Sequence, residues 1–194
     1  MREASNLEYL HKQILACREC REIFGFEPRP YVWGKASSKI MQISQAPSYS
    51  VYLSNKPFDD ASGDILRKWY GIDKDKFYDD KIFYFTSISH CYPGKSYRAV
   101  DRKPLFFCAD KWLRQEMKLV DNELYIIIGA VAFNYFFRKE KFSEVVFRKD
   151  IVLNNKPVIL LPHPSPRNRY WLSHHPEFYK EHLPWVRSIL NKFL

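Results

Sequence analysis

Residues 124–136 read L-Y-I-I-I-G-A-V-A-F-N-Y-F. Leu124 to Ile128 form an unbroken apolar run, the pattern of a strand covered on both faces, and Gly129 breaks it before a helical spacing through Phe133 and Phe136. Working outward, Lys39 to Ser44 (K-I-M-Q-I-S), Ile82 to Ile88 and Val158 to Leu161 read as three further strands. Between them lie helical spacings. Leu7, Leu10, Ile14 and Leu15 mark a helix over 5–16. Ile65, Leu66, Trp69 and Tyr70 mark another, preceded by Ser62 and stopped by Gly71. A helix is expected from about Leu105 to Lys118, and a last one from about His175 to Leu194 that Pro184 must kink or restart. A long loop, Gln45 to Asp60, rich in Ser, Asn, Pro and Asp, follows the first strand.

Strands that alternate with helices imply a parallel sheet covered on both faces. The expectation is a three-layer α/β/α sandwich around a mainly parallel four-stranded sheet, formed by one domain over 1–194. In such sheets a ligand binds beyond the carboxyl ends of the strands, so the loops at Gln45, Ser87, Gly129 and Pro162 should share one mouth.

Composition narrows the partner. With 31 Lys and Arg against 22 Asp and Glu the formal charge is +9, which favours an anionic partner and, for a globular chain, nucleic acid. An inert basic surface is the bland alternative. The first residues, MREASNLEYLHKQILAC, hold no long apolar run, so neither a signal peptide nor a membrane span is expected, and the setting is read as cytoplasmic. Disulfides are disfavoured there. The four cysteines, Cys17 and Cys20 in a C-x-x-C pair, Cys91 after a strand and Cys108 opening a helix, then read as metal ligands or as buried thiols. Four thiolates from three segments can hold a [4Fe-4S] cluster or a tetrahedral zinc. With 6 glycines the chain has no G-x-G-x-x-G or P-loop, and it lacks the H-x-E and P-C-x-x-C pairing of zinc deaminases.

Two signatures remain, S-Q-A-P-S at 44–48 and H-P-S-P-R-N at 163–168. Together with Pro57-Phe58, with F-T-S-I-S-H-C at 85–91 and with the spacing of 17 from Cys91 to Cys108, they resemble the uracil-DNA glycosylase superfamily, especially its iron-sulfur families four and five. The resemblance runs from Cys17 to about Trp171. It implies a glycosylase that flips a deaminated base out of DNA and hydrolyses its glycosidic bond in base excision repair. No lysine stands out at the mouth as a Schiff-base nucleophile, so a monofunctional enzyme is expected, and a monomer is the default for a DNA reader that closes around one nucleotide. It favours the [4Fe-4S] cluster over zinc as the group held by Cys17, Cys20, Cys91 and Cys108.

The resemblance also assigns roles. His163 becomes the donor to the departing base, whose negative charge grows in the transition state. Pro164, Ser165, Pro166, Arg167, Asn168 and Arg169 form the loop that enters DNA or contacts its phosphates. Phe58 stacks on the flipped base, in a pocket shared with Gln45, Ala46, Pro47 and Ser48. The first motif departs from the family pattern. Gln45 and Ala46 stand where related enzymes carry a glutamate or an aspartate, so the carboxylate falls to Asp60 in P-F-D-D-A-S, which matches P-F-T-G-D-A-S with one residue fewer. Asp59 is its neighbour in reserve, and an N-cap is the alternative use of Asp60. Ser87 replaces the asparagine that reads the uracil edge and offers one hydroxyl instead of a paired amide. Hypoxanthine or xanthine therefore stands beside uracil as a substrate. A noncatalytic metal-containing nucleic-acid binder of the same fold is the alternative function. Lys56 and Lys95 leave a lyase step open.

Overall fold

The computed structural model describes residues 2–98 and 100–194, apart from the side chains of 2–5 and 167. Its strands are β1 (Ile40–Ser44), β2 (Phe83–Ser87), β3 (Leu124–Ile128), β4 (Val152–Leu153) and β5 (Lys156–Leu161). The helices are α1 (Arg2–Ala16), α2 (Arg21–Phe24), α3 (Tyr49–Ser54), α4 (Ala61–Tyr70), α5 (Lys74–Phe77) and α6 (Phe106–Cys108). They continue with α7 (Arg114–Leu119), α8 (Gly129–Phe136), α9 (Phe142–Val145), α10 (Arg169–Ser173) and α11 (Leu183–Leu190).

The sheet runs β2-β1-β3-β5-β4, parallel throughout except for β4. Period-two alternation sorts its side chains between two layers. Met41, Ile43, Tyr84, Tyr125, Ile127, Val158 and Leu160 join the core with α1, α7 and α8. Ile40, Phe83, Phe85, Ile126, Ile128, Ile159 and Leu161 join a second core with α4 and α11. All five residues of β3 are wholly buried, as its apolar run requires. Each such side chain contributes about 1.5–3 kcal/mol by leaving water.

Four boundaries differ from expectation. A fifth strand is present: β4 pairs antiparallel with β5 through Asn154 and Asn155, both at positive φ, a two-residue hairpin chemistry that the strand reading over 158–161 overlooked. Within the long loop Ser48 caps α3, accepting from the Val51 N–H, where no helical repeat is long enough to read. The helix after Leu105 contains a π-helical stretch, Ala109–Leu113, just beyond Cys108. The final helix, expected from about His175, begins with a π-helical stretch, Phe178–His182, that runs into α11 with Pro184 in its first turn, and a separate short helix, α10, precedes it.

Candidate active site

A cavity of about 540 Å³ opens at the carboxyl ends of the strands. It is built from the loop after β1, the turn before α4, the loop after β5 and part of the loop after β2. β1 feeds β2 on one side and adjoins β3 on the other, so the mouth lies where the winding of the sheet reverses. Gln45, Ala46, Pro47, Ser48, Phe58, Asp60, His163, Ser165, Pro166 and Asn168, all singled out from sequence, line it together.

The turn before α4 is under tight geometric control. Asp60 caps the helix, its Oδ1 accepting from the Gly63 N–H at 3.1 Å, while its Oδ2 accepts from the Ser48 hydroxyl at 2.6 Å. Cap and cavity-wall residue are therefore one and the same carboxylate. Ser48 in turn caps α3, so one hydroxyl ties the loop after β1 to the start of α4. Phe58 adopts φ +55°, costly for a bulky residue, with its ring edge-on to Phe77 and Phe85. Its carbonyl lies so close to Gly63 that a Cβ there would meet the oxygen at 1.9 Å. Asp59 does not line the cavity; it pairs with Lys74 at 3.8 Å. Lys56 also lies off the wall, its ammonium 4.0 Å from the Tyr78 ring centre.

His163 follows β5 and packs against the turn after β3, where Gly129 at φ +82° leaves room: a Cβ there would stand 3.3 Å from the His163 Cβ. The loop is closed by Asn168, whose Nδ2 donates to the His163 carbonyl at 2.7 Å. Pro164 is buried and Arg169 exposed at the start of α10, neither on the cavity wall. The Arg167 side chain lies outside the described residues.

Ser87 is fully buried and off the wall, its hydroxyl donating to the Ser89 carbonyl at 2.7 Å. Tyr31 reaches the wall instead. Its hydroxyl donates toward Ser87 Oγ at 3.4 Å, and burial holds the phenol in its protonated form. Sequence reading missed Tyr31, which belongs to no periodic segment, and also Asp101 and Arg102. Asp101 accepts from the Tyr92 hydroxyl at 3.3 Å, and Arg102 donates to the Phe24 carbonyl at 3.1 Å. Arg102 thereby couples the cavity rim to α2.

The four cysteines, separated by up to 91 positions, meet at one small cavity beside Pro28, Pro30, His90 and Trp112. Burial, with the charges of Cys108 and Cys17 next, pushes the Cys20 thiol up to about 11, and burial likewise raises Cys91. The His90 backbone N–H donates to Cys108 Sγ at 3.5 Å, and its Nδ1 lies 3.6 Å from the same sulfur. Among the described residues no three ligand side chains are drawn around one point closely enough to grip a single ion. Behind His90 lies Glu116, its Oε2 3.0 Å from His90 Nε2 and accepting from Thr86 at 2.6 Å, its Oε1 accepting from Tyr84 at 2.8 Å. Burial raises the Glu116 carboxyl, but His90 and the two hydroxyls outweigh it and hold the group below the usual carboxylate range.

The model of the uracil DNA glycosylase superfamily matches residues 31–187, most of the chain and every element of the cavity. The chain belongs to the uracil DNA glycosylase superfamily. Membership supports a DNA-glycosylase-like function with DNA as partner. The superfamily match begins at Tyr31, downstream of Cys17 and Cys20, so the first cysteine pair lies outside it. Among the described residues no helix is long and apolar enough to cross a membrane.

Proposed function

We propose that this superfamily member is a monofunctional DNA glycosylase that extrudes a deaminated base, uracil, hypoxanthine or xanthine, and hydrolyses its N-glycosidic bond. The observation that carries the reading is the convergence of Asp60, Phe58 and His163 on one cavity. The extruded base stacks on Phe58, whose backbone is pinned by Gly63. As the C1′–N bond breaks, its electron pair leaves with the base, and His163 donates a hydrogen bond to the base oxygen that gains charge. Asp60, its oxygens oriented by Ser48 and Gly63, offsets the positive sugar and accepts the proton of the water that bonds to C1′. Lys56, held over Tyr78, is not placed for a Schiff base, which favours hydrolysis without a lyase step.

Cys17, Cys20, Cys91 and Cys108, gathered at one small cavity, are the residues that would hold a [4Fe-4S] cluster, and the His90 N–H donating to Cys108 Sγ is a contact of the kind that stabilises a ligating thiolate. The order and spacing of the four cysteines, which resemble those of the superfamily's iron-sulfur members, favour the cluster over zinc. Its role in this reading is structural, pinning α1 and α2 to the loop after β2.

Single-turnover cleavage of oligonucleotides bearing each base tests the reading. Asp60→Asn and His163→Ala should each slow cleavage by about 10²–10⁴ while DNA binding is kept. Unchanged rates would remove both residues from the chemistry. One observation favours a noncatalytic binder: Gln45 and Ala46 bring no carboxylate, and both Asp60 oxygens are already engaged. DNA binding with no base released from any lesion would establish that second reading.

A further inference from the structure

Three exposed tyrosines lie close along the chain to residues of the cavity wall. Tyr49 follows the wall residue Ser48, Tyr97 lies between the wall residues Pro93 and Asp101, and Tyr170 comes two positions after the wall residue Asn168. Their exposures are 55%, 90% and 77%. Single exposed aromatics are ordinary, but these three stand on three separate segments that adjoin the wall, the start of α3, the loop after β2 and the first turn of α10. The other two tyrosines among the exposed large side chains, Tyr9 on α1 and Tyr179 in the segment Phe178–His182, lie 11 or more positions along the chain from any wall residue.

Each of the three rings has a basic or aromatic companion. Tyr49 stacks on Tyr52 at 6.0 Å and 15°, and the Arg29 guanidinium lies 5.4 Å from the Tyr52 ring centre. The Arg98 guanidinium lies 5.2 Å from the Tyr97 ring. Tyr170 packs against the His174 imidazole at 4.3 Å, with Arg169 beside it in sequence. An exposed aromatic ring with a basic side chain close by, Arg98 on Tyr97 itself, Arg29 on the neighbouring Tyr52 and Arg169 next to Tyr170 in the chain, suits an unpaired base carrying its own phosphate. Paired bases inside a duplex already stack on each other and offer no face to such a ring.

We propose that Tyr49, Tyr97 and Tyr170 form a stacking rim for the nucleotides flanking the target, and that the preferred substrate is single-stranded DNA. The inference rests on the glycosylase reading for the identity of the target, but not for the binding itself. The rim orders the strand on both sides of the cavity, so the target base enters without the cost of unpairing a duplex.

The test is fluorescence anisotropy with a lesion-free mixed-sequence oligonucleotide, single-stranded and as a duplex, on full-length protein. Tyr49→Ala, Tyr97→Ala and Tyr170→Ala should each weaken single-strand binding about five-fold or more. Duplex binding should change less than two-fold. Tyr97→Phe and Tyr170→Phe should bind as the parent does, and Tyr9→Ala and Tyr179→Ala should change nothing. Matched melting curves exclude misfolding as the cause of a loss. Equal losses on both forms, or no loss in the alanine variants, would overturn the rim. Aromatic-dependent single-strand binding without base release would keep the rim and refute the glycosylase reading. Base release that ignores the tyrosines and strand state would do the reverse.

Discussion

Alanine in place of glycine inside a helix ordinarily stabilises by roughly 1 kcal/mol. Gly63→Ala should do the opposite. The added methyl would stand 1.9 Å from the Phe58 carbonyl oxygen and 2.8 Å from its carbon, roughly 1 Å or more inside tolerable contact. Phe58 cannot yield cheaply, because its ring is wedged against Phe77 and Phe85 with centroids 6.0 and 5.5 Å away. The first turn of α4 cannot yield without drawing the Gly63 N–H away from Asp60, a cap worth about 1 kcal/mol. Overpacking of this kind costs about 1–3 kcal/mol, and the lost cap roughly cancels the propensity gain. At ~2–4 °C per kcal/mol for a chain of this length, the melting temperature should fall by roughly 2–12 °C. Cleavage should fall further than stability, since the displaced groups are Phe58 and Asp60. Circular dichroism melts paired with single-turnover cleavage measure both. A Gly63→Ala protein that melts at or above the parent and cleaves at the parental rate would refute the account of this turn.

The remaining predictions concern the buried network and the cysteines. Glu116→Ala strands His90 and two hydroxyls in the core and should cost about 3–5 kcal/mol, or roughly 6–20 °C in melting temperature; a loss under about 1 kcal/mol contradicts the network. The Glu116 carboxyl is held below its ordinary value, so its stabilisation is present above the usual carboxylate range and lost as pH falls through the depressed value. Melting curves of parent and Glu116→Ala should converge in acid; a constant gap at every pH would contradict that linkage. Protein purified without oxygen should carry iron and acid-labile sulfide in equal amounts, and Cys91→Ser and Cys108→Ser should lose both together with thermal stability. Stoichiometric zinc without sulfide would replace the cluster by a single ion.

Much of the scaffold was legible because its signals are local. The run at 124–128 returned a strand with the bounds read from it, Gly71 ends α4 in the left-handed conformation, and the alternating elements predicted helices on both faces. The hairpin at Asn154-Asn155 was also written in the chain, in a two-residue turn signal, but β4 is too short to show alternation of its own. The short helix α10 was harder, since five residues show no helical repeat, although Pro176 marks the break that follows it.

For the site, residue types and order along the chain carried Gln45 to Ser48, Phe58, Asp60 and His163 as candidates, because chemistry is a property of side chains and motifs are contiguous. Whether Asp60 caps a helix or lines the cavity was undecidable from spacing, and the fold makes it do both, with one oxygen on the Gly63 N–H and the other on the Ser48 hydroxyl. Ser87 occupied the expected place in the chain, yet its hydroxyl turns to Ser89 and leaves the wall to Tyr31, 56 residues away. Such contacts depend on how parallel strands and their loops are brought together in space. No period, cap or charge pattern encodes the meeting of two distant segments, so composition and motifs named the chemistry while packing chose which atoms face the cavity.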